Sequence, residues 1–97
     1  MDSCPNKIGD GNVIAWAVID GGVRPTGNTI HRFGGSEMGP AFGLAICRFA
    51  NDDGYFLFYC DSEWNPQTDT WHETLDDAKA QAEFEYTDIS PQWHATA

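Results

Sequence analysis

Ninety-seven residues, 41% of them hydrophobic and including four Trp, three Tyr and six Phe, are enough for one core and too few for two, so a single domain over 1–97 is expected. Fifteen acidic residues against five basic ones leave a net charge of −10, a field that repels nucleic-acid phosphates and anionic lipid and attracts cations and basic proteins. The longest apolar runs, 13–19, 41–47 and 55–60, are strand-sized, which argues against a membrane span.

The charge is unevenly placed. Residues 1–48 hold four acids and four bases, whereas the remainder carries eleven acids and only Lys79. Two readings compete: net charge that keeps a protein soluble, and an acidic face built for a partner. Cys4, Cys47 and Cys60 are odd in number and form no C-x-x-C pair, which speaks against a disulfide framework and a Cys-rich zinc site. The opening Met-Asp-Ser-Cys-Pro-Asn-Lys carries an acid and no apolar run, so it does not read as a secretory signal, and a reducing cytoplasm is the expected location.

In chain order, 12–19 is rich in β-branched residues and lies between Gly9-Asp-Gly11 and Asp20-Gly-Gly22, which predicts a first strand. A loop at 23–27 leads to 28–33, whose polar and apolar residues alternate as in a half-buried strand. The Gly- and Pro-rich stretch 34–40 is a loop before a third strand, 41–49, with Phe42, Leu44 and Ile46 expected on one face. Asn51-Asp-Asp-Gly54 predicts a hairpin turn in which Gly54 is free to take a positive φ. The fourth strand, 55–61, points Phe56, Phe58 and Cys60 one way and Tyr55, Leu57 and Tyr59 the other. Two apolar faces imply a central strand covered on both sides, or one face left for a partner.

Residues 62–69 contain Asn-Pro and read as a turn, with a short β segment at 70–72. Thr74 then fits an N-cap with Asp77 three residues on, and Asp76 and Asp77 suit the positive end of a helix dipole. The helix runs from Leu75 to about Tyr86, and Leu75, Ala78, Ala82 and Tyr86 form the stripe expected to dock on the sheet. Phe84 lies nearly opposite, either covered by the tail near Trp93 or exposed. The expected fold is therefore α+β: an antiparallel meander of four to five strands with one C-terminal helix on one face.

The segment from Cys60 to Glu73 gathers polar residues around two Trp. Asp61, Glu63, Asn65, Gln67 and Asp69 alternate as in an EF-hand loop, but Pro66 stands where the sharp turn needs Gly and His72 where a bidentate Glu belongs. A solvated acidic turn is the plainer reading. His72 with Asp69 and Glu73 is a candidate metal or acid–base set, to be weighed against a purely structural His–carboxylate pairing. His31 and His94 are lone histidines, and His94 is most simply exposed. Cys47 and Cys60 lie in apolar strands and are expected to be core residues rather than nucleophiles. Trp64 and Trp71 flank the acidic turn, either packed across it with their N–H groups satisfied or exposed as anchors for a basic partner. Trp71 is expected to be the packed one, and Trp64 fits either role.

The pattern Cys60-Asp61-x-x-Trp64, followed by Asp69-Thr70-Trp71-His72-x-Thr74-Leu75-x-x-Ala78-Lys79-x-Gln81-Ala82-Glu83, resembles small acidic bacterial proteins of uncharacterised function. Size and concentrated acidity are also similar to those of immunity and inhibitor proteins that cover basic nuclease surfaces, a likeness of composition alone. The resulting expectation is a non-enzymatic domain, with no cofactor or metal and no catalytic residue. It would bind a basic protein through Asp61, Glu63, Trp64, Asp69, Asp76, Asp77 and Phe84. The alternatives are a small metalloprotein or enzyme using His72, Asp69 and Glu73, and a homodimer that buries one face of 55–60 or the Phe84 side of the helix.

Overall fold

The structure, a computed structural model, describes residues 4–19, 24–25, 32–33, 36–37, 41–87 and 93–95. Among the described residues the elements follow in chain order: β1 (Lys7–Ile8), β2 (Gly11–Val18), β3 (Arg24–Pro25), β4 (Arg32–Phe33), β5 (Ser36–Glu37), β6 (Gly43–Arg48), β7 (Tyr55–Cys60), β8 (Pro66–His72), α1 (Leu75–Glu85), β9 (Tyr86–Thr87) and β10 (His94–Ala95). The main sheet is antiparallel, in the order β1-β2-β6-β7-β8, and β10 joins the β1 side of β2. The α+β meander with one helix packed on it is the expected fold.

Its core is built in two layers. On the helix side, Ala15, Ala17, Leu44, Ile46, Leu57 and Tyr59 meet Ala78, Ala82 and Tyr86 of the helical stripe, with Leu75 packed at its start. Small alanines let the helix lie close to the large residues of β6 and β7. On the other side Val13, Ala45, Cys47 and Cys60 meet Cys4, Ile8 and Trp64, with Trp16, Phe42, Phe49 and Phe58 against them. Both faces of β6 and β7 are thus covered at the centre, as a strand apolar on both sides requires.

The two-layer plan explains the irregularities. Register shifts between Val13 and Ala15 of β2, so that these two same-parity residues face opposite layers. Between β1 and β2, Gly9 takes φ 58° at the first central position of a two-residue turn, the place that type II′ geometry reserves for glycine. The helix begins as expected, with the Thr74 hydroxyl accepting from the Asp77 N–H at 3.0 Å.

Four expectations are corrected. Residues 28–31 lie outside the described residues, and Arg32–Phe33 pairs with Ser36–Glu37 in a separate hairpin rather than entering the main sheet. Phe42 precedes β6 at a bend, and its ring packs edge-on to Trp64, on the layer opposite Leu44 and Ile46. The turn read at 62–69 ends at Asn65, because β8 starts at Pro66, a position where an edge strand tolerates proline. Gly54 has no positive φ; what its site requires is the missing Cβ, which would sit 2.2 Å from the Trp71 indole.

Candidate functional site

The β7–β8 hairpin positions most of the residues singled out in the sequence. Its turn is organised by Asp61, whose Oδ1 accepts from the backbone N–H of Glu63 and Asn65, both at 2.9 Å, and whose Oδ2 accepts from Gln67 Nε2 at 3.4 Å. The bond from the Asn65 amide, followed by that from Glu63, holds the Asp61 carboxyl below its usual range. Alternation of polar residues through this turn reflects donors converging on one carboxylate, with Asn65 and Gln67 supplying N–H groups rather than ligand oxygens.

Trp64, a candidate exposed anchor, is buried at 6% exposure. It adopts φ 64°, a left-handed conformation that is strained for a bulky residue. The strain is offset by packing: the indole meets Trp16 and Phe42 edge-on, and its ring fills a notch at Gly43, where a Cβ would lie 2.5 Å from Cη2. Trp71 behaves oppositely. It is 48% exposed, yet its Nε1 donates to Asp52 Oδ1 at 2.9 Å, and so it pins the β6–β7 turn rather than the acidic one. This bond and one from the Gly54 amide at 2.7 Å keep the Asp52 carboxyl below its ordinary pKa.

His72 and Asp69 project from opposite faces of β8, because they are three residues apart and a strand alternates. His72 faces the helix side, where its Nε2 is 2.8 Å from the Thr70 hydroxyl, and burial lowers its pKa although Asp77 and Glu85 act in the other direction. The His72–Asp69–Glu73 set is therefore not assembled around one point. Beneath the helix the sequence reading missed Glu85, buried at 4% exposure, which accepts from the Tyr59 phenol and from Gln81 Nε2. Its spacing from Ala78 and Ala82 would have revealed it, since residues seven and three positions on share their stripe.

The remaining carboxylates do not share one face. Asp61 and Glu63 are at one end of the β7–β8 hairpin and Asp52 and Asp53 are at the other end of β7. Asp76 and Asp77 are exposed on the first helical turn, and Phe84 is 52% exposed further along the helix. Asp69 alone of the candidate acids stands on the sheet face away from the helix, directly across from Phe58.

That face holds an open concavity of about 420 Å³, lined by Phe49, Asn51, Asp52, Phe56, Phe58 and Asp69. Phe56 and Phe58, two residues apart on β7, lie nearly parallel at 16° with centroids 6.0 Å apart. Phe49 stands across both at 83° and 85°. The result is an aromatic floor and wall with carboxylates at the rim and no basic lining residue. Arg48 belongs to the other face, where its guanidinium lies 4.8 Å over the Tyr55 ring. Aromatic faces carry negative electrostatic potential, so rings and carboxylates favour the same kind of ligand, a cation with apolar surface.

Among the described residues no three His, Cys, Asp or Glu side chains come together as a metal-holding group, and no helix is long and apolar enough to cross a membrane. Comparison with family models, curated proteins and solved structures finds no match for this chain.

Proposed function

We propose that this chain is a non-enzymatic binding domain that docks a basic protein on the face of the sheet away from the helix. The observation that carries the reading is the groove itself, in which partly exposed Phe56 and Phe58 lie beside Asp52 and Asp69. Aromatic side chains that remain partly wet on a sheet face are costly unless something covers them, and carboxylates at their edge select a cationic cover. The net charge of −10 supports the same partner class by steering basic proteins from a distance. In this reading Asp69 is a contact for the partner, as proposed for it from the sequence. Trp64 serves the core instead, and Asp61 serves its own turn.

The test is charge reversal at two places, followed by capture from a lysate of the source organism and identification of the captured protein. Asp69→Lys removes capture of a basic protein whose retention by the wild-type chain falls steeply with salt, whereas Asp76→Lys with Asp77→Lys on the helix leaves it largely intact. Equal capture by the Asp69→Lys variant, or a captured partner that is acidic and indifferent to salt, rules the reading out.

A further inference from the structure

We propose that the groove is an arginine pocket: a guanidinium from the partner lies against Phe56 and Phe58 and hydrogen-bonds the Asp69 carboxylate. This inference rests on the basic-partner reading and narrows it to one side chain. Three observations lead to it.

First, the geometry suits a flat cation. Nearly parallel Phe56 and Phe58 present ring faces along β7, with Phe49 perpendicular to them as a wall. A guanidinium is planar, weakly hydrated and able to stack on aromatic faces, whereas an ammonium is a compact point charge that holds its water. Second, Asp69 is available. It is exposed, directly opposite Phe58, and no hydrogen bond or ion pair engages it among the described residues. One carboxylate can accept two parallel N–H bonds from a guanidinium, which a single ammonium cannot match. Third, the second carboxylate at the rim is fixed in place. Asp52 lines the groove with its Oδ1 held by the Gly54 amide and the Trp71 indole, and Arg48 acts on it from the other face, so this carboxylate is not free to follow a ligand. Fixed charge of this kind favours a cation whose donors are spread over several nitrogens. At about 420 Å³ the concavity lies within the usual range of small-ligand sites, about 300–1,000 Å³.

The experiment titrates the full chain, labelled with ¹⁵N, with three blocked tripeptides, acetyl-Gly-X-Gly-amide, in which X is arginine, lysine or citrulline. Citrulline keeps the planar shape and loses the charge. The arginine peptide is expected to bind weakly, to shift the amide resonances around Phe56, Phe58 and Asp69, and to bind about fivefold tighter than the lysine peptide. The citrulline peptide leaves the spectrum unchanged, and Asp69→Asn weakens arginine binding about fivefold or more. Equal binding of the lysine peptide overturns the arginine assignment while leaving a basic partner in place. Shifts centred on Phe84 or the helix, binding of citrulline as strong as arginine, or no binding of any peptide overturn the pocket. The capture experiment on Asp69→Lys then decides separately whether a basic partner docks on this face.

Discussion

Tyr59 donates its phenolic proton to Glu85, joining the middle of the sheet to the last turn of the helix through a carboxylate that has almost no contact with water. Gln81 donates to the same oxygen from one helical turn earlier, and Thr70 of the neighbouring strand bonds the Tyr59 hydroxyl. The buried charge is thus met by neutral donors, and the helix is locked in register on the sheet by polar as well as apolar contacts.

Tyr59→Phe leaves a buried carboxylate short of a donor, so it is expected to destabilise the fold by about 1–3 kcal/mol. Glu85→Gln is destabilising on its own and non-additive with Tyr59→Phe in a double-mutant cycle measured by urea unfolding. Independent, additive effects would show that the bond contributes nothing. Burial, with Glu85 beside it, also raises the Tyr59 pKa above the ordinary tyrosine range. A proton is then held by the folded state and lost by the unfolded one above about pH 10, so stability falls as pH rises past that point, and less so in Tyr59→Phe.

The Trp64–Gly43 notch gives a second prediction. Gly43→Ala forces a methyl into the indole and against the Ala17 carbonyl oxygen, and overpacking of this kind costs about 1–3 kcal/mol. Trp64→Phe in the same chain removes the clashing ring edge, so the double variant loses less than the sum of the two single changes. Thermal unfolding checks this, and strict additivity would mean that the glycine is there for another reason.

His72 sets the acid side of the stability profile. Burial lowers its pKa in the folded chain, so between the unfolded value of about 6.5 and the lower folded value the unfolded state binds more protons. Stability is therefore full above about pH 6.5 and declines as the pH falls. His72→Gln keeps a hydrogen-bonding side chain beside Thr70 and flattens this part of the curve. An unchanged profile in the variant would assign the acid sensitivity to other groups.

The three thiols are expected to be inert in the folded protein. Burial pushes Cys4, Cys47 and Cys60 up to about 12, with neighbouring thiols adding to the effect for Cys47 and Cys60. Thiol reagents at neutral pH should label the chain only as fast as it opens, with labelling accelerated by denaturant. Rapid labelling of any of the three in native conditions would place that residue outside the core.

How much of this was legible in the sequence depends on whether local pattern or distant contact decides each feature. Alternation in 12–19, 41–49 and 55–61, and the Thr74 cap with its Ala78–Ala82 stripe, are local, and the strands, the helix and its docking face follow from them. The shift near Ile14 is invisible to a period-two reading because the bulge exists only relative to β6. Pro66 suggests a turn on its own, and only its place at the start of an edge strand makes it part of β8. Trp71, expected to be the packed indole, is half exposed, and Trp64, which fitted either role, is buried, for a similar reason. Gly43 and Gly54, which receive the two indoles, lie 21 and 17 residues away in sequence. The groove is also non-local, since the β6–β7 turn supplies Asp52, β7 supplies the rings, and β8 supplies Asp69. The two apolar sides of 55–60 left open whether both would be covered or one would remain for a partner. Nor did the sequence indicate which acids would border the groove.

The face used for binding is the central claim, and hydroxyl-radical footprinting of the captured complex tests it most directly. Protection of Phe49, Phe56 and Phe58, with Phe84 as reactive as in the free chain, is the predicted result. Protection of Phe84 with the three groove rings left reactive would contradict the account and place the partner on the helix.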